Sequence, residues 1–91
     1  MAQKQKKLNM EIKGNLQKLH FKFFAKRRAN RLGLMTHKIS HNNNGYIEII
    51  VEGENTKLWE MVKWAKRGPL FSTVNEVVIQ FTPSEIPVNV R

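Results

Sequence analysis

"GNLQKLHFK", residues Gly14–Lys22, joins two patterns that cannot belong to one element. Upstream, Met10, Ile12, Gly14 and Leu16 alternate with Glu11, Lys13 and Asn15, the mark of a half-buried strand. Downstream, Phe21, Ala25, Ala29 and Leu32 recur at helical spacing, with Phe24 at the edge of the stripe. Gly33 then supplies a C-terminal stop, which predicts a helix from about His20 to Leu32. The junction itself carries Lys18, His20 and Lys22. A helix start ringed by basic side chains is an anion site in outline, because first-turn amides lack intrahelical acceptors and the dipole favours negative charge.

Working outward, "LMTHKIS" (34–40) reads as a second strand, and "HNNNGYIEIIVEG" (41–53) follows it. Its Asn44-Gly45 pair lies between β-prone runs, a strong hairpin signal. Ile47, Ile49 and Val51 form the apolar face of a third strand, opposite Tyr46, Glu48 and Glu52. A second helix starts at Asn55 or Thr56 as N-cap and buries Leu58, Met61, Val62 and Ala65. Gly68-Pro69 ends it, and "STVNEVVIQF" (72–81) is a fourth strand. The tail "PSEIPVNVR" has two prolines and is expected to add no more than a short edge piece. The order is β-α-β-β-α-β, an α+β ferredoxin-like plan in which one antiparallel sheet carries both helices on one face.

The 91-residue chain makes one domain, in which roughly 60–65% of the unfolded surface is buried. Residues 1–7 are expected to form a flexible basic arm, with the folded domain over 8–91. Cysteine is absent, which excludes disulfides, thiolate nucleophiles and zinc-thiolate sites. There is no apolar run long enough to span a bilayer, and "MAQKQKKLNM" lacks the apolar stretch of a secretory signal. A soluble, cytoplasmic monomer without membrane contact is expected. Sixteen Lys and Arg oppose seven Asp and Glu, a net charge of +9. Between Glu11 and Glu48 there is no acidic residue, while eight basic ones fall in that span. Such a field concentrates phosphate esters or nucleic acid, although a solvated helix face that maintains solubility has the same composition.

The junction and the punctuation after it resemble the acylphosphatase family. That family reads G-x-V-Q-G-V-x-F-R where Gly14–Lys22 stand here. Its L-G-L at the helix end is similar to Leu32-Gly33-Leu34, and its D-G turn to Asn44-Gly45. The glycine closing its third strand corresponds to Gly53, its helix-two tryptophan to Trp64 and its G-P to Gly68-Pro69. Val74 and Val77 fall where its fourth strand begins, so the likeness runs from about Met10 to Phe81. The resemblance implies hydrolysis of carboxyl-phosphate bonds without metal or other cofactor. It places the phosphoryl group in a cradle over Gln17, Lys18, Leu19, His20, Phe21 and Lys22. A small phosphorylated molecule or phosphate is the implied partner.

Two catalytic positions depart from that pattern. The family's arginine is Lys22, which replaces a planar bidentate fork with a mobile point charge. The family's water-orienting asparagine falls on His41 when counted back from Gly45 and on Ser40 when counted forward from Leu34, with Asn42 one step away. The cradle glycine is Lys18, which is strained if its backbone needs a positive φ. Weak or lost activity is therefore expected, with Lys22 and His41 as the catalytic candidates.

The alternative is a non-enzymatic module that binds anions or nucleic acid. The predicted outward positions of strands one and three (Asn9, Glu11, Lys13, Tyr46, Glu48, Ile50 and Glu52) include one aromatic and three acids, which suits RNA poorly. Contact through the basic face of the first helix stays open. Phe23 is predicted to face solvent between Lys26 and Arg27, fit for base stacking, for a protein contact or for cover by the arm. Trp59 and Trp64 read as packing residues of the second helix. His20, His37 and His41 lack metal-ligand spacing, so no metal is expected.

Overall fold

The computed structural model describes residues 5–41, 45–69 and 72–83. Their order is β1 (Gln5–Asn15), α1 (Lys18–Arg31), β2 (Met35–His41), β3 (Tyr46–Glu54), α2 (Asn55–Arg67) and β4 (Thr73–Pro83). The four strands form one antiparallel sheet in the order β2-β3-β1-β4. The expected β-α-β-β-α-β plan is thus the observed one.

Register explains the core. Leu8, Met10 and Ile12 of β1 sit opposite Val51, Ile49 and Ile47 of β3, and on the other side opposite Phe81, Ile79 and Val77 of β4. Alternation turns these three rows to one face, where they pack with Phe21, Ala25 and Ala29 of α1 and Leu58, Met61, Val62 and Ala65 of α2. Both helices therefore cover the same side of the sheet. Burying a side chain such as Ile12 or Ile49 completely contributes about 1.5–3 kcal/mol.

Helix ends follow local chemistry. Leu34 N–H reaches Ala29 O at 2.9 Å and Gly33 N–H reaches Asn30 O at 3.1 Å, closing α1 in a Schellman arrangement. Gly33, at φ +73°, takes the left-handed position there. α2 begins one residue earlier than a cap at Asn55 requires. β3 runs into it without a loop, and Glu54 occupies the N-cap in an extended conformation with no side-chain cap bond.

Two expectations need revision. Residues 5–7 do not belong to an arm: Lys6 and Lys7 pair with Gly53 and Glu52 on one side and with Pro83 and Thr82 on the other. A strand with partners on both edges is fixed by its ladder, whatever the polarity of its side chains. Residues 1–4, the centre of the 42–44 hairpin and the tail from residue 84 lie outside the described residues. Glu52, read as an outward-facing acid, is 1% exposed. Its carboxylate lies 2.7 Å from His37 Nε2, and the β2 register shifts between Thr36 and Lys38 at that histidine. Among the described residues, no helix is long and apolar enough to cross a membrane.

Candidate functional site

β1 bends as it enters the junction. Its pairing with β4 shifts register between Lys13 and Gly14, and Gly14 takes φ +149°. A Cβ at that position would stand 2.0 Å from the Thr73 carbonyl oxygen, so glycine alone fits. Leu16 turns into the core, and its carbonyl accepts a bond from Ser72 Oγ at 3.2 Å, which ties the end of β1 to the start of β4.

The chain then reverses at Gln17, whose φ of 49° and ψ of 70° are left-handed. Among the described residues it is the one non-glycine with positive φ. Lys18 is already the first residue of α1, so the strain feared at Lys18 falls on Gln17 instead. α1 starts two residues before the expected His20, and its first amide to bond one turn back is Phe21, 2.9 Å from Gln17 O. The amides of Lys18 and Leu19 precede that bond. No acidic residue stands in the first turn to neutralise the positive end of the helix.

An open depression over this turn is lined by Gln17, Leu19, His20 and His41. Gln17 is exposed and Leu19 is 78% exposed, an apolar side chain at the mouth of a polar junction. The His20 ring leans on Phe24, centroids 4.8 Å apart. Phe21 turns its ring into the core, and its amide is bonded to Gln17 O. Phe23 is 59% exposed, as its helical position requires, and stands edge-on to Phe24. Trp64 packs edge-on against Phe21 at 5.2 Å, while Trp59, 44% exposed, leans on Phe81.

His41 reaches the site through strand parity. It is the last residue of β2 and pairs with Ile47, so it belongs to the face that α1 covers. Lys22 Nζ lies 3.1 Å from His41 Nδ1. An ammonium only donates, so in this contact Nδ1 is the acceptor. The two side chains singled out for catalysis are in direct contact. Ser40 pairs with Glu48, on the opposite parity, and Asn42 lies outside the described residues. His37 is spent on Glu52, away from both other histidines.

Comparisons with known proteins bear on the family and the fold. A family model described as acylphosphatase matches residues 8–89. An acylphosphatase of Synechococcus sp. is 36% identical over 77 residues, covering 85% of this chain and 80% of its own. One from Thiobacillus denitrificans is 31% identical over 80 residues, covering 88% and 89%. The crystal structure of acylphosphatase from Bacillus subtilis superposes with a TM-score of 0.81 over 87% of both chains. At 24% identity that last likeness speaks for the fold alone.

Proposed function

The chain belongs to the acylphosphatase family, and from that premise we propose that it holds the phosphoryl group of carboxyl phosphates over the β1–α1 junction and hydrolyses them only weakly. The observation that carries this reading is the 3.1 Å hydrogen bond between Lys22 and His41. For phosphoryl transfer, positioning and charge stabilisation supply most of the catalysis. The helix-start amides, the unneutralised dipole and the Lys22 ammonium supply attraction for a phosphoryl group.

The weakness lies in what those side chains no longer offer. An arginine presents a planar fork to two phosphoryl oxygens, whereas Lys22 presents one rotating charge and directs a donor to His41. An amide orients a water by accepting its hydrogen, which leaves a lone pair aimed at phosphorus. His41 has its acceptor occupied by Lys22, so the nitrogen it turns elsewhere is a donor. A donor engages the lone pair that the attack requires. Slack of about an ångström in such positioning costs on the order of 100-fold.

The test follows the backbone amides of residues 17–22 by NMR while inorganic phosphate is added at low salt. Shifts confined to Lys18–Lys22 are the expected result, with benzoyl phosphate turned over slowly by the same sample. Unmoved amides would remove the site, and a rate equal to that of a vigorous acylphosphatase would remove the weakness.

A further inference from the structure

Further along α1, away from the junction, Arg27, Arg28 and Arg31 border a second depression whose other walls are Phe24 and Trp64. Spacings of three and four residues set these arginines on neighbouring positions of the helix surface, and Phe24 is one turn before Arg28. Trp64 comes from α2, so tertiary packing rather than local sequence completes the wall. No acidic residue lines it. Among the described residues, none of the three guanidinium groups has an ion pair or a hydrogen bond. Arg28 Nε is buried and meets no acceptor. The negative end of the helix accounts for cations in the last turn, where Arg28 and Arg31 stand. It does not account for a donor buried without an acceptor beside two aromatic rings.

We infer that this depression binds single-stranded nucleic acid, with backbone phosphates on the guanidinium groups and a base stacked on Phe24 and Trp64. Guanidinium is the cation that matches phosphate with two parallel donors. Half-buried rings beside such cations form a stacking platform, and the exposed Phe23, edge-on to Phe24, extends it. An acidic peptide would satisfy the charge and leave the rings without a role. A small acyl phosphate held near Lys22 does not reach, because Arg28 lies about 9 Å further along the helix axis at 1.5 Å per residue.

Trp59→Phe leaves Trp64 as the sole tryptophan, so its emission reports directly on stacking. Into that protein a short oligothymidylate is titrated at several salt concentrations. The expected result is quenching, with affinity falling as salt rises. Changing the exposed pair, Arg27→Ala with Arg31→Ala, should weaken binding about tenfold or more and lower the salt slope by about 1.4, as loss of two phosphate contacts on a single strand requires. Phe24→Leu should weaken it about fivefold or more through lost stacking. Among the described residues neither of these two arginines has an ion pair or a hydrogen bond, and circular dichroism checks that the variants are folded. Absence of quenching, or undiminished affinity in the double arginine variant, overturns the proposal. So does equal binding by polyglutamate of matched charge, which would mark a surface for any polyanion. Thymidine monophosphate binding as tightly as the oligomer would overturn the strand in favour of a single nucleotide.

Discussion

His41, closing β2, accepts a hydrogen bond at Nδ1 from the Lys22 ammonium in the second turn of α1, across 3.1 Å. Each side chain thus restrains the other, and changing one alters the duties of both. Replacing Lys22→Arg should supply the missing fork, and adding His41→Asn should supply an acceptor for water. A single oriented group of this kind is worth about 2.7–4 kcal/mol of transition-state stabilisation. The double variant should therefore hydrolyse benzoyl phosphate at least a hundredfold faster than the parent. Each single variant should fall well short of it, because Lys22→Arg leaves a donor where the water needs an acceptor and His41→Asn leaves one rotating charge where the phosphoryl group needs a fork. Steady-state kcat/KM for the four proteins checks this.

Gly14→Ala should cost about 3 kcal/mol or more of stability. The added Cβ would meet the Thr73 carbonyl at 2.0 Å, a backbone atom that cannot swing aside, and φ +149° opposes any side chain. Urea unfolding of parent and variant measures the difference.

Gln17→Gly should act in the opposite direction. A left-handed non-glycine is strained by roughly 1–2 kcal/mol, and glycine's extra freedom when unfolded returns part of that. A net gain of about 0.5–1 kcal/mol is expected, seen as a Tm higher by roughly 2–8 °C. An unchanged Tm would mean that the φ of 49° at Gln17 carries no strain.

The two side-chain pairs that β2 makes with β3 should differ sharply in value. His37→Ala removes a bond to the fully buried Glu52 carboxylate, a loss of about 1.5–3 kcal/mol. Lys38→Ala removes a 2.9 Å pair with Glu48 at half exposure, and the change should stay below about 1 kcal/mol. Parallel denaturant curves separate the two, and equal losses would contradict the role of burial.

The architecture was legible because Met10, Ile12, Ile47 and Ile49 alternate while Phe21, Ala25, Leu58 and Met61 follow the helical period, and each pattern admits one inward face. The junction was legible from its basic residues and its glycine. Gln17 was not, since a left-handed residue is usually announced by glycine or asparagine and glutamine announces nothing. Glu52 was misread because alternation gives the face of the sheet but not what covers it. His37 meets it where β2 shifts register, and no local pattern records such a shift. Lys6 and Lys7 looked like solvent-borne charge, and only the pairing on both sides makes them strand residues. The arginine–aromatic depression escaped for a related reason, as Trp64 lies more than thirty residues from the helix it completes.

The placement of β1 between β3 and β4 has a kinetic side. Its ladder with β4 joins Lys6 to Pro83 and Gly14 to Val74, so the inner strand is completed only when opposite ends of the chain meet. The entropy of closing such a loop is lost before the contacts that reward it exist. Helix α1 settles over β2 and β3, but α2, which packs against β4, has no complete surface until that late strand arrives. Folding should accordingly be slow for so short a chain, in the millisecond-to-second range of topologies ruled by distant pairings. Changes that weaken β4, one of the two edge strands, should be felt in the rate at which the protein assembles as much as in the stability it reaches.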